Sequence, residues 1–139
     1  IKSFVSILNP VDNAMRNNRV LSRRALTLLE DHDTVSKEQL WIISSLADVA
    51  GQLAELYTKS VDLDEHVAIP ELVRRLRELG ARAGLEVAEG GVLTAQVILA
   101  QSRSIIVDLL QVCGMSRYSA VAVIQPTSAH PAMPAEGCD

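Results

Sequence analysis

Three groups of residues have types and spacings that could do chemistry. The first is Arg16, Arg19, Arg23 and Arg24, with no acidic residue between Asp12 and Glu30. Spacings of three, four and seven put Arg16, Arg19 and Arg23 on one stripe of a helix. Such a stripe suits acids on neighbouring helices or an anionic surface, either lipid headgroups or an acidic partner. Arg74, Arg75 and Arg77 could add to it. The second is Asp108 in the run Ile105-Ile106-Val107-Asp108-Leu109-Leu110, on a polar stripe with Gln101, Ser104 and Gln111. A carboxylate in an apolar run needs a partner. The obvious candidate is an arginine of the first basic helix, Arg19 or Arg23, in a pair that fixes helix register more than it adds stability. The third is two acidic stretches, Asp31-His32-Asp33 and Asp62-Leu63-Asp64-Glu65-His66.

Those acidic stretches hold ligand-type residues without the fixed spacing of a metal motif, and read as solvated loops. No Glu-x-x-His pair occurs on two helices, so the di-iron bundle signature is missing. No nucleophile elbow surrounds a serine, and Cys113 sits in apolar sequence. The expectation is a non-enzyme, with no catalytic, cofactor-binding or metal-binding residue. Cys113 and Cys138 lie 25 positions apart without CxxC or Cys/His spacing, so neither a zinc knuckle nor a disulfide framework is signalled. A reducing compartment is the simplest setting.

The elements that position these residues follow from composition and period. The chain of 139 residues is one domain's worth, and 48% hydrophobic content excludes global disorder. One Trp, two Tyr and one Phe leave the apolar content to Leu, Ile, Val and Ala, which suits helices packed on helices. Thirteen Lys and Arg against 17 Asp and Glu give a net charge of −4, which argues against a nucleic-acid binder. Residues 92–113 are long enough to span a bilayer, but their polar side chains predict a soluble chain. The first residue is Ile1 and no targeting signal follows, which predicts an excised piece of a longer polypeptide.

Periodicity predicts helices over about 10–31, 36–60, 69–84 and 92–113, with a short one over 116–124. Asn9 and Pro10 would open the first, whose apolar face is Val11, Ala14, Met15, Leu21, Ala25, Leu28 and Leu29. Ser36, followed by Glu38 and Gln39, would open the second as a capping box, with Leu40, Ile43, Leu46, Ala47, Ala50, Leu53, Leu56 and Tyr57 inward and Gly51 marking a closely packed neighbour. Residues 61–68 read as a loop, and Pro70 restarts helix with an apolar face of Ile69, Leu72, Val73, Leu76, Leu79 and Ala83. The fourth turns Ile98, Leu99, Ile105, Ile106, Leu109 and Val112 toward the core, and Gly114 stops it. The expected fold is an all-α, antiparallel up-down four-helix bundle over 1–124, with an irregular Pro-containing tail over 125–139.

Two stretches carry a family resemblance. Val11-Asp12-Asn13-Ala14-Met15-Arg16-Asn17-Asn18-Arg19-Val20-Leu21-Ser22-Arg23-Arg24-Ala25 resembles the arginine-rich helix that follows the transmembrane part of actinobacterial fusaric-acid-resistance (FUSC)-like proteins, also grouped with aromatic acid exporters. The stretch from Val97 through Ala100-Gln101-Ser102-Arg103-Ser104 and Val107-Asp108-Leu109-Leu110 to Gly114 resembles that family's closing helix. The two cover about a quarter of the chain, and the tail from Gln125 matches nothing in the family. The resemblance implies a non-catalytic domain on the cytoplasmic side of an inner-membrane exporter, acting in assembly, gating or partner docking. Its partners would be the chain's own transmembrane part, anionic lipid headgroups or a homo-oligomer partner. Arg16, Arg19, Arg23, Arg103 and Asp108 match motif positions; no transport residue carries over. The alternative is a free-standing cytosolic helical adaptor or small-ligand-binding bundle, and a third reading is a metal enzyme using the acidic loops.

If Asp108 is buried against an arginine, Asp108→Ala destabilises by roughly 2–4 kcal/mol in urea unfolding, because the partner charge is left uncompensated. A loss of about 0.5 kcal/mol or less would show a solvated carboxylate.

Overall fold

The computed structural model describes residues 4–58 and 65–127, and only the backbone of 4–8, 57–58 and 65–67. The described chain is all-helical: α1 (Phe4–Glu30), α2 (Lys37–Thr58), α3 (Glu65–Arg82), a 3-10 turn (Leu85–Ala88), α4 (Leu93–Val112) and α5 (Arg117–Val123).

Two helix starts differ from expectation, for one reason. Pro10 lies inside α1 rather than at its first turn, and Pro70 lies inside α3, whose first turn takes up part of the expected 61–68 loop. A proline lacks only its own amide, so helix continues on its N-terminal side when the flanking turns keep their bonds. The pattern alone cannot separate that case from a proline at the first helical position. Residues 61–64, with Asp62 and Asp64, lie outside the described residues, as does the tail from residue 128.

The caps expected at Ser36 and Gly114 form, whereas Asn9 lies inside α1 and does not open it. Ser36 Oγ accepts from the Gln39 amide at 3.1 Å and donates to the Val87 carbonyl at 2.8 Å. Gln39 does not complete a capping box; its buried amide donates to the Ala95 carbonyl at 2.9 Å, tying the start of α2 to the start of α4. Past α4, Gly114 has φ 113°, the Met115 amide reaches the Leu110 carbonyl and the Gly114 amide reaches that of Gln111, each at 3.0 Å. That is a Schellman stop, which glycine adopts without steric cost. The same pair of bonds ends α1, where His32 takes the left-handed position at φ 57°.

α4 is the centre of the packing. Every other described helix lies against it, α1 most extensively, while α1 finds its main support on α4 alone. Residues 105–110 are all buried, more than one full turn, so α4 is enclosed on every side there. Its length and apolarity would suit a bilayer, and here just over half of its most apolar stretch is buried against the rest of the protein.

The inward faces of α3 (Leu72, Leu76, Leu79, Ala83) and α4 (Ile98, Leu99, Ile105, Ile106, Leu109, Val112) lie where the pattern puts them. Those of α1 and α2 do so only in part: Leu28 of α1 and Leu46, Leu53 and Leu56 of α2 are buried as expected, and the Tyr57 side chain lies outside the described residues. α1 meets α4 along a narrow seam of Pro10, Ala14, Asn17, Leu21 and Leu28, whose spacing follows the heptad of two-helix packing. A single neighbour covers only that seam, so Val11, Met15 and Leu29 stay exposed. In α2 the buried set is Gln39, Ile42, Leu46, Val49, Leu53 and Leu56, with Leu40, Ala47 and Ala50 exposed. The helix is apolar around more than half its girth, so the angle at which α3 and α4 meet it selects the face.

Gly51 does not mark a close neighbour, since a Cβ there would meet nothing within 4 Å; Gly80 does, because a Cβ would come within 2.9 Å of Val123 Cγ1 on α5. The Gly80 carbonyl also accepts from the Gln125 amide at 3.0 Å, fastening the chain after α5 to α3. Gly51→Ala is expected to stabilise the fold by about 0.5–1 kcal/mol, read as a higher urea midpoint with unchanged m-value. An unchanged or lower midpoint would refute the open surroundings of Gly51.

Candidate functional site

Ala100, Arg103, Ser104, Val107 and Asp108 recur at helical spacing along one face of α4, and that face floors a groove. α1 supplies one wall through Asn13, Arg16 and Asn17. α5 and the residues after it supply the other, with Arg117, Val121 and Ile124 leading to Pro126 and Thr127. The cavity is about 610 Å³, within the range of small-molecule sites.

Asp108 is 3% exposed at the base of the groove. Its partner is Asn17, whose Nδ2 donates to Oδ2 at 2.7 Å, and not Arg19 or Arg23. At 100° per residue, positions 19 and 23 point about 200° and 240° around α1 from position 17, away from α4. Burial pushes the Asp108 carboxyl above its ordinary value, while the Asn17 amide and the Arg117 guanidinium pull it back.

Arg103 is half-buried beside it, and one terminal nitrogen donates to the Ala83 carbonyl at the end of α3. Burial lowers its pKa against a weaker opposing influence of Glu86, and an arginine keeps its charge regardless. Among the described residues no carboxylate forms an ion pair with Arg103 or Arg117. Arg16, at the rim, pairs with Asp12 at 3.1 Å on its own helix.

Of the six residues singled out from sequence, Arg16, Arg103 and Asp108 come together and the other three do not. Arg19 is exposed on the outer surface of α1, and Arg23 and Arg24 border a dimple of about 170 Å³ with Val20 and Thr27. Arg74 and Arg75 do not extend the basic stripe, being neutralised by Glu71 at 2.7 Å and Asp48 at 2.8 Å. On the α2–α3 side, Arg82 bonds Glu38 at 3.2 Å and lies 4.4 Å from the centre of the Trp41 ring. Asn13, Asn17 and Arg117 were missed. Asn17 had a legible signal, as the one amide among Pro10, Ala14, Leu21 and Leu28 at heptad spacing.

Elsewhere on the polar stripe of α4, Ser104 Oγ donates to the Ala100 carbonyl at 3.2 Å, while buried Oε1 atoms of Gln101 and Gln111 have no hydrogen-bond partner among the described residues. Among those residues, no three His, Cys, Asp or Glu side chains gather into a metal-binding group. Asp31 and His32 lie exposed in the turn after α1.

An uncharacterized protein of Corynebacterium glutamicum is 60% identical to this chain over 136 residues, 98% of the chain. The chain spans 35% of that relative's length. No family model matches the sequence, and no solved structure matches it.

The neutral partner changes what substitutions at Asp108 should do. Asp108→Ala should cost about 1–3 kcal/mol, the penalty of leaving the Asn17 amide unpaired, rather than that of a stranded arginine. Because burial raises the folded carboxyl above its unfolded value, the folded state binds more protons in the window just above 3.8. Stability associated with Asp108 is therefore highest below that window and falls as pH rises through it. Asp108→Asn keeps an acceptor for Asn17 and removes the titration. The variant should match the parent near pH 3.8 and exceed it in urea stability at pH 7. A variant less stable at pH 7 would show that the charge itself holds α1 on α4.

Proposed function

We propose that this chain is a non-catalytic helical domain of a longer FUSC-like membrane protein, on the cytoplasmic side of the inner membrane, acting in assembly, gating or partner docking. The observation that carries the proposal is the Asn17–Asp108 hydrogen bond of 2.7 Å, which joins the two stretches that resemble the family. Each stretch contains one partner of the contact. The reading is also supported by the length of the corynebacterial relative, about two thirds of which lies outside the match and leaves room for a membrane part.

The antiparallel up-down bundle belongs to the same proposal. It is favoured by the contacts that bring the starts of α2 and α4 together, Gln39 to Ala95, and the end of α3 to the start of α2, Arg82 to Glu38. On its outer surface α1 carries Arg19 and Arg23 without ion pairs among the described residues, beside exposed Leu26 and Leu29. That combination of cationic and apolar side chains suits anionic headgroups or a second copy of the domain. The groove favours the second reading, a free-standing bundle that binds a small ligand.

The corynebacterial relative, expressed at full length, should sediment with membranes and resist extraction by high salt. Its residues outside the match should contain several apolar runs of about twenty residues. A relative that stays in the soluble fraction and lacks such runs would overturn the exporter reading in favour of the free-standing bundle.

A further inference from the structure

We infer that the groove between α1, α4 and α5 binds a small organic carboxylate, its head group meeting Arg103 and Arg117 and its apolar body lying on Val107, Val121 and Ile124. The inference does not depend on whether the domain belongs to a membrane protein.

Charge points to the head group. Three guanidinium groups and one carboxylate face the groove. Arg16 is neutralised by Asp12, and Asp108 is held by the neutral Asn17 amide. Arg103 and Arg117 form no ion pair among the described residues; Glu86 acts on the first and Asp108 on the second only from beyond contact distance. Arg103 is the more telling of the two. It is half-buried, and its one described acceptor is the neutral Ala83 carbonyl, which fixes the guanidinium while leaving its other N–H groups uncommitted. A planar fork held in this way, partly out of water, matches the two oxygens of a carboxylate.

The rest of the lining selects the class of anion. Val107, Val121, Ile124 and Pro126 offer a branched apolar surface, which a bare inorganic anion would leave unused. Asp108 at the base opposes a second negative charge, so a monoanion fits better than a phosphate dianion. A cavity of about 610 Å³ holds a molecule larger than a simple ion.

Octanoate is a suitable probe, titrated into the 15N-labelled chain with amide shifts followed by NMR. Saturable shifts are expected at groove residues of α4 and α5. Arg117→Gln and Arg103→Gln should each weaken binding at least about tenfold, the loss of a charge-assisted contact, while Lys37→Gln on α2 should bind as the parent does. Methyl octanoate should give no saturable shift at these positions. If Arg103→Gln fails to fold because the Ala83 tie is lost, Arg117→Gln decides. Absence of saturation, shifts confined to other surfaces, unchanged affinity in Arg117→Gln, or equal binding of the ester or of inorganic phosphate would each overturn the assignment. Failure of the relative to reach the membrane would not, so the two proposals are tested separately.

Discussion

The structure depends on the enclosure of α4. Every other described helix packs against it, and over residues 105–110 no face remains open to water. A carboxylate or hydroxyl buried on such a helix needs its partner inside the protein, because leaving it unpaired costs about 1–3 kcal/mol. Ser102 finds one within the helix, donating to the Ile98 carbonyl at 2.8 Å. Asp108 cannot reach its own backbone and takes its partner from α1. The position of that one carboxylate thereby specifies which residue of α1 faces inward.

The groove is a by-product of how α1 and α5 share the same helix. α1 meets α4 along a narrow heptad seam, and α5 returns over a neighbouring face after the Schellman stop at Gly114. Two helices supported by a common third leave a channel between them wherever their side chains are short. Asn13 and Asn17 on one side and Val121 on the other are short enough, and Arg103 rises from the floor toward the Ala83 carbonyl. Gly80 keeps the far wall in place, because only a residue without a Cβ admits Val123 and Ile124 so close to α3.

The basic character of α1 divides along the same geometry. Arg16 flanks the seam and reaches the groove rim, whereas Arg19 and Arg23 turn outward with Leu26 and Leu29. The arginines of one helix thus meet two different surroundings. The inner one is partly enclosed and lined by branched apolar groups, which favours a small ligand. The outer one is open to solvent, where single charges gain little from a protein partner and more from an extended anionic surface.

By itself the sequence determined that the chain is helical, where most helices stop, which faces of α3 and α4 turn inward, and that Asp108 needs a partner. These are local properties: the 3.6-residue period, the cap at Ser36 and the positive φ at Gly114 act over a few residues and can be read along the chain. Only the tertiary structure decided the rest. Whether Ile42 or Ile43 enters the core depends on the angle at which two other helices meet α2. That Asn17 and not Arg19 reaches Asp108 depends on the rotation of α1 about its own axis. That Pro10 lies within a helix depends on the turns before it holding. Arg117 joined the site from a short helix whose direction no periodicity records. Period and propensity describe one helix at a time, and a site between three helices exists only once their relative rotations are set by packing.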